Sequence, residues 1–194
     1  MSSAFPPSLK SALRTAALAR RAALTPEQRV EAAQALALRV FPVPITPGII
    51  VSGYHPIRGE FDPLPLMARL ANEGADLALP VVIARDLPLK FRAHIFGAPL
   101  VDGWGGTQEP PQAARELLPD ILLVPLAAFD RAGHRIGYGA GHFDRSFAEL
   151  RQRKPIITFG LAFDVQAVDA VPQEAHDVAL DYVLTETTLF DFRS

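Results

Sequence analysis

The stretch DILLVPLAAFDRAGHRIGYGAGHFDR, residues 120–145, holds the strongest strand signal of the chain, followed by a dense run of glycines. Its first part, 120–129, is short, apolar and rich in aliphatic side chains, which predicts a buried strand. Glycine occupies every second position from 137 to 141, and a helix is expected over 143–153. A buried strand that leads through glycines into a helix is typical of an α/β layered domain.

Apolar runs and helical segments alternate along the rest of the chain. Helices are expected at 9–24, 26–40 and 62–72, and a loop at 97–111. The further strands are expected at 48–56, 75–83, 89–96, 155–163 and 181–187. Buried strands separated by helices predict a largely parallel sheet. Because no repeat or linker divides the chain, 1–194 is expected to form a single domain.

The N-terminal segment has two interpretations. Its first 26 residues contain no acidic residue and carry several arginines among alanines and serines, which is similar to an organellar presequence. The alternative is the first helix of the domain, because Ser8 can cap it and Thr25, Pro26 and Gln28 form the start of a second helix.

Composition and charge exclude several classes of protein and of functional site. A net charge of -2 and a pI of about 6.2 provide no bulk attraction to nucleic acid or to an anionic membrane. Cysteine is absent, which excludes disulfides, thiolate catalysis and cysteine-ligated zinc. No apolar run approaches the ~20 residues of a membrane span. We expect a cytoplasmic monomer that acts on a small molecule.

The glycine stretch has a functional and a neutral interpretation. In an open α/β sheet, ligands bind beyond the carboxyl ends of the strands, and glycines let backbone N–H groups approach a phosphate. Arg135 and Arg145 could donate to phosphate oxygens. The pattern is neither a Walker A loop nor a Rossmann fingerprint, and a mobile turn around RAGHR is the alternative.

The first predicted helix carries cations on one face. Lys10, Arg14 and Arg21 lie within about 40° of each other at 100° per residue. A solvated basic face is the usual meaning of such a pattern. A bound polyphosphate would relieve the mutual repulsion of the three cations, which supports a phosphate site.

Two aspartates are candidates for a magnesium site. Asp144 begins the helix after the glycines, where it could hold Mg²⁺ beside a nucleotide or cap the helix. Asp181 begins a predicted strand, where a carboxylate is uncommon.

Several motifs, in order and over nearly the whole chain, resemble the 5-formyltetrahydrofolate cyclo-ligase family, also called methenyltetrahydrofolate synthetase. They are LKSALR at 9–14, YHPIRGEFD at 54–62, LPLKF at 87–91, WGGTQEP at 104–110, LLVPLAAFDRAGHRIGYGAGHFDR at 122–145, GLAFDVQ at 160–166 and HDVALDYVLTE at 176–186. The resemblance implies a three-layer α/β/α domain shared with certain sugar-phosphate isomerases and CoA transferases. It also implies the ATP- and Mg²⁺-dependent conversion of 5-formyltetrahydrofolate to 5,10-methenyltetrahydrofolate, with release of ADP and phosphate.

The resemblance implies roles for individual residues. Asp144 and Asp181 match magnesium ligands, and Arg145 is expected to act in catalysis together with Asp144. The folate contacts would be Glu60, Tyr54 and Tyr138. His176 beside Asp177 resembles a catalytic pair, and the alternative, which we favour, is that it orients Asp181 or a loop. The ATP contacts would be Lys10, Arg14, Arg135, Gly137, Tyr138, Gly139, Ala140, Gly141, His142 and Phe143.

This sequence departs from the family pattern inside the glycine stretch. Ala140 stands where a lysine or glycine is usual, and His142 and Phe143 stand where two tyrosines are usual. We expect a changed nucleotide affinity or pH dependence with the reaction retained. Two other functions stay open: a non-catalytic binder of folate or nucleotide with the same fold, and a sugar-phosphate isomerase or transferase, against which Glu60 argues.

Overall fold

The central strands of the sheet lie where the apolar runs predict them. The computed structural model describes residues 8–174 and 177–193. Seven strands form one sheet in the order β11-β10-β9-β6-β1-β2-β3. Their bounds are β1 Ile50–Ser52, β2 Asp76–Val81, β3 Lys90–His94, β6 Ile121–Pro125, β9 Ile157–Leu161, β10 Tyr182–Leu184 and β11 Leu189–Asp191. The five inner strands run parallel, and the edge strands β3 and β11 are antiparallel to their neighbours.

Four helices cover this sheet and its carboxyl edge. They are α1 Leu9–Ala22, α2 Pro26–Leu38, α3 Leu64–Asn72 and α4 His142–Arg153. Ser8 caps α1, and Thr25 and Gln28 form the predicted capping box of α2. None of these helices, in the part of the chain that the structure describes, is long and apolar enough to cross a membrane.

Alternate side chains of the strands supply two separate cores, which makes the domain three-layered. On one face, Leu77 and Leu79 pack in a cluster with Leu36 of α2 and Met67 of α3. On the other face, the cluster contains Leu122, Val124 and Ala78 together with Phe147 and Leu150 of α4. This period of two along strands buried on both sides confirms the predicted α/β class with a largely parallel sheet.

The first helix packs as part of the domain. Ala17 is fully buried in a cluster with Ala128 and Ile136. Arg20 donates to the carbonyl oxygens of Val165 and Ala167, at 2.6 and 3.2 Å. Of the two interpretations of the basic N-terminal segment, the structure therefore contains the helix.

Two local predictions are wrong. The run 120–129 is not one strand, because β6 ends at Pro125 and the antiparallel hairpin of β7 Ala128–Phe129 and β8 Arg135–Ile136 follows it. The stretch 97–111 contains a short hairpin of β4 Val101–Asp102 and β5 Gln108–Glu109, with a 3-10 turn over Trp104–Gly106 between them. Short pairs of two residues carry too little periodic signal to be recognised in a sequence.

Candidate active site

A cavity of about 550 Å³ lies at the carboxyl ends of the parallel strands. Strands β1, β2 and β6 end at its floor, α1 and the glycine stretch contribute to its walls, and the hairpin that carries Trp104 also lines it. This volume is typical of a site for a small molecule. The predicted site residues that line it are Lys10, Arg14, Tyr54, Glu60, Arg135, Asp144 and the run from Gly137 to Phe143.

The glycine stretch makes the turn that starts α4. Gly139 and Gly141 have φ values of 97° and 65°, in the left-handed region that favours glycine. Gly141 is the N-cap of α4, and no side chain forms a capping hydrogen bond there. The first backbone N–H groups of α4 are consequently available to an anion at the positive end of the helix.

Cations of α1 hold the loops around the cavity. Lys10 Nζ lies 2.6 Å from Oδ2 of Asp177 and 3.6 Å from a carboxylate oxygen of Glu174. Arg14 Nε donates to the carbonyl oxygen of Gly137 at 2.8 Å. Two of the three cations on the predicted phosphate-binding face, Lys10 and Arg14, therefore line the same cavity as the glycine stretch, and both contact protein groups.

Asp144 lies at the third position of α4 and is paired with a buried cation. Arg135 Nη2 donates to its Oδ1 at 2.7 Å, and the Val178 N–H donates to the same oxygen at 3.3 Å. Burial lowers the pKa of Arg135 and the neighbouring Asp144 opposes this, which is the balance expected of a buried ion pair. Asp144 is thus not the helix cap, since Gly141 occupies that position.

Asp181 is not among the residues that line the cavity, whereas Asp144 is, so the magnesium role of Asp181 beside Asp144 stays a prediction. Asp181 Oδ2 accepts hydrogen bonds from the N–H and the hydroxyl of Thr158, and lies 3.5 Å from Arg151. Asp144 and Arg151 are separated by about 10 Å along the axis of α4. Asp181 precedes β10 at the amino end of the parallel strands, whereas ligands approach from the carboxyl end.

Arg145 also lies outside the cavity lining. Its Nη2 donates to the carbonyl oxygens of Ala140 and Arg85, at 2.6 and 3.1 Å. It stabilises the glycine turn through the Ala140 carbonyl and does not line the cavity in this structure, so its catalytic role stays a prediction. Sequence spacing does not distinguish the two sides of the first helical turn.

The predicted folate side is formed by buried groups that interact with each other. Glu60 is 9% exposed, one of its oxygens accepts the N–H of Ile57 at 3.0 Å, and burial raises its pKa. Burial also raises the pKa of Tyr138, and the Glu60 carboxylate adds to that rise. Tyr54 is almost fully buried, with its hydroxyl donating to the carbonyl of Phe61 at 2.7 Å, so its contribution is to the floor of the cavity.

Several lining residues were not selected from the sequence. Glu109 is buried, and its Oε1 accepts from the Val82 N–H at 3.2 Å and from the Thr107 hydroxyl at 3.1 Å. Within the described residues, His55 Nδ1 is buried and has no hydrogen-bond partner. Asp177 lines the cavity, while His176 lies outside the described residues. Trp104 and Glu109 belong to the motif WGGTQEP, which was a signal for this surface.

Comparisons with known proteins identify the family of this chain. The model of the 5-formyltetrahydrofolate cyclo-ligase family matches residues 7–186. The chain belongs to the 5-formyltetrahydrofolate cyclo-ligase family. It is 33% identical over 181 residues to the 5-formyltetrahydrofolate cyclo-ligase of Escherichia coli K12, covering 89% of this chain and 98% of the relative. To that of Mycolicibacterium smegmatis it is 35% identical over 192 residues, covering 92% and 94%.

A solved structure shares the fold of this family member. It is the 5,10-methenyltetrahydrofolate synthetase of Aquifex aeolicus, with a TM-score of 0.78 and 29% identity, covering 96% of this chain and 94% of that one. The fold predicted from the resemblance is therefore confirmed.

The three departures from the pattern of the cyclo-ligase family occupy different environments. Ala140 and His142 line the cavity, and His142 Nδ1 lies 3.1 Å from the carbonyl oxygen of Leu87. The His142 ring lies edge-on to Trp104 with centroids 6.0 Å apart. Phe143 also lines the cavity, and its ring packs on Phe147 at the margin of the core under α4. His142 therefore joins the glycine stretch to the Trp104 hairpin, whereas Phe143 joins it to the core.

Proposed function

We propose that this protein is an ATP-dependent ligase that converts 5-formyltetrahydrofolate to 5,10-methenyltetrahydrofolate, releasing ADP and phosphate. One observation carries the proposal: a single cavity contains the glycine stretch with two cations of α1 and also the buried carboxylate of Glu60. A polyphosphate and a pterin are the two ligands that such a pair of surfaces would take. The names of the relatives support the reaction.

The glycine stretch would bind the nucleotide phosphates. Its backbone can approach closely at Gly137, where a Cβ would meet no atom within 4 Å, and the uncapped start of α4 supplies N–H donors. Lys10 would exchange Asp177 for a phosphate oxygen, and Arg14 is already placed against the Gly137 carbonyl. This arrangement needs no cation at position 140.

Glu60 and Tyr138 would bind the folate. The amino group and ring N–H of a pterin are donors, and a carboxylate accepts from two of them at once. The buried Glu60 carboxylate accepts one backbone N–H, that of Ile57, through Oε2. Its oxygens can therefore accept further hydrogen bonds from such donors. The aromatic side chains of Trp104 and Tyr138 offer flat surfaces at the same cavity.

The reaction follows from activation of the formyl oxygen. That oxygen attacks the γ-phosphorus of ATP, and the bond to ADP breaks. N10 of the folate then attacks the formyl carbon and loses its proton, and the oxygen leaves as inorganic phosphate. The residues of the cavity align the two substrates and stabilise the charge on the transferred phosphoryl group. No cysteine or serine nucleophile is required.

The carboxylate oxygens at the cavity are suitable ligands for magnesium. Both hydrogen bonds of Asp144 in the described part of the chain use Oδ1, which leaves Oδ2 for an ion. Asp177 contributes a second carboxylate to the same cavity. Mg²⁺ prefers such oxygen ligands together with phosphate oxygens, and when bound it neutralises phosphate charge. Asp144 and Asp177, in place of Asp181, would hold it.

The proposed function is tested by direct assay. The protein is mixed with 5-formyltetrahydrofolate, ATP and Mg²⁺, and the near-ultraviolet absorption of the methenyl product is followed, with a control that lacks ATP. We expect an absorption band that depends on ATP. Binding of the folate without any band at high protein concentration would instead identify a non-catalytic binder.

A further inference from the structure

Arg21 is a buried cation whose contacts were not expected from the sequence. It is only 4% exposed, although it shares a helix face with Lys10 and Arg14. Its Nη1 donates to the hydroxyl oxygen of Tyr138 at 2.5 Å, and its Nη2 donates to the carbonyl oxygen of Arg58 at 2.9 Å. Its guanidinium also lies 5.7 Å from the centre of the Tyr138 ring. Arg21 is therefore directed at side chains of the cavity, not at phosphates.

These contacts join the two halves of the cavity. Tyr138 belongs to the glycine stretch, between Gly137 and Gly139, and Arg58 lies in the same turn as Glu60. A guanidinium only donates, so the Tyr138 oxygen accepts from Arg21 and its hydrogen is free to point elsewhere. The Glu60 carboxylate lies close enough to interact with that hydroxyl. Arg21 thus orients the Tyr138 hydroxyl toward Glu60.

We infer that Arg21 is a positioning residue that couples nucleotide binding to folate binding through Tyr138 and Glu60. The inference rests on the proposed function of the glycine stretch as the nucleotide site. A nucleotide bound at the glycine stretch acts on the backbone around Tyr138, and Arg21 transmits the change because it bonds the Tyr138 hydroxyl to the turn that carries Glu60. Folate affinity then depends on whether the nucleotide is bound.

The test measures the dissociation constant of 5-formyltetrahydrofolate with and without a non-hydrolysable ATP analogue and Mg²⁺. In the wild-type protein the analogue is expected to change this constant by about fivefold or more, the low end of typical couplings. Arg21→Met and Tyr138→Phe should each reduce the change to less than about twofold, and their double variant should reduce it no further. Arg21→Lys, which retains a charge and a donor, should restore part of the coupling.

Two controls keep the outcomes distinct. Arg20→Met removes contacts of the same helix with Val165 and Ala167 and should leave the coupling unchanged. Tyr138→Phe removes only a hydroxyl from a ring that is 42% exposed, so we expect it to fold even if Arg21→Met, at a buried position, does not. Wild-type coupling in Tyr138→Phe would overturn the inference while leaving the proposed function in place. Failure of the analogue to bind the wild-type protein would overturn both.

Discussion

Glu60 places an ionisable group at the floor of the cavity, where burial raises its pKa above the ordinary 4.5. The folded protein therefore holds the proton of Glu60 more tightly than the unfolded chain does. As the pH rises from the ordinary pKa through the raised one, the unfolded state loses the proton first, and stability falls over that window. Burial of Glu60 therefore lowers the stability of the folded protein near neutral pH, and it keeps in the cavity a carboxylate that a substrate would contact.

Glu60→Gln removes the ionisable group and so tests how much its ionisation lowers the stability of the folded protein. The free energy of unfolding of the variant, relative to wild type, should increase between pH 4.5 and neutral pH, as measured by urea denaturation. The KM for the folate should rise by about tenfold or more, since a charged hydrogen bond contributes about 1.5–3 kcal/mol. A stability difference that stays constant with pH would show that Glu60 titrates normally.

The aspartates at 144, 177 and 181 are expected to differ in their importance for magnesium binding and turnover. Asp144→Asn should abolish turnover with the fold largely retained, because the amide oxygen can still accept from Arg135. Asp177→Asn should raise the Mg²⁺ concentration needed for half-maximal activity. Asp181→Asn should retain kcat within about twofold, because Asp181 contacts Thr158 and Arg151 and does not line the cavity.

The assay that separates these roles is turnover as a function of Mg²⁺ concentration, with thermal unfolding of each variant as the control for folding. Loss of turnover in Asp181→Asn at normal stability would place the metal at that aspartate. Near-normal activity of Asp144→Asn would limit Asp144 to its structural pairing with Arg135.

At the scale of elements, the turn between β8 and α4 combines two kinds of glycine. Gly139 has a left-handed backbone, with φ of 97°, and a Cβ there would meet only the Arg14 guanidinium at 3.9 Å. Gly137 has no positive φ, and a Cβ there would meet nothing within 4 Å. Gly139 is therefore required by the turn itself, whereas the turn alone does not require Gly137.

Alanine at these two positions should have different effects. Gly139→Ala should cost roughly 1–2 kcal/mol of stability because of backbone strain, measured by chemical denaturation. Gly137→Ala should change stability by less than about 0.5 kcal/mol and yet raise the KM for ATP, because the new methyl group occupies space at the cavity. An unchanged KM in Gly137→Ala would mean that the nucleotide does not approach the backbone there.

At the scale of the whole molecule, the cavity gathers residues from α1, from the ends of three strands and from the loops after them. Ligands that bind there link segments from Lys10 to Asp177, so binding should stabilise the entire domain.

Ligand binding should therefore raise the temperature of unfolding. A nucleotide with Mg²⁺ at about 100 times its dissociation constant stabilises the folded state by about 2.7 kcal/mol. For a chain of 194 residues this corresponds to a shift of about 5–10 °C. Calorimetry with ATP, with folate and with both measures it. No shift at saturating ATP would contradict a nucleotide site, and Asp144→Asn provides the matched variant with weakened Mg²⁺ binding.

The sequence by itself determined the α/β class and most of the elements. Apolar runs of strand length, caps such as Ser8 and Thr25, and the glycines before α4 are local signals, since they depend on backbone conformation and on burial of one segment. The motif resemblance identified the family, and with it the loop and the acid, Glu60, that share the cavity.

Only the tertiary structure decided which charged side chains contact which partners. Lys10 and Arg21 lie on one helix face, yet one reaches Asp177 and the other reaches Tyr138, because the segments packed against α1 differ along its length. Asp181 matched a magnesium ligand by motif but lies at the amino end of the strands, bonded to Thr158. The physical reason is that a contact between residues far apart in sequence depends on how strands and helices pack. The spacing of residues along the sequence does not determine that packing.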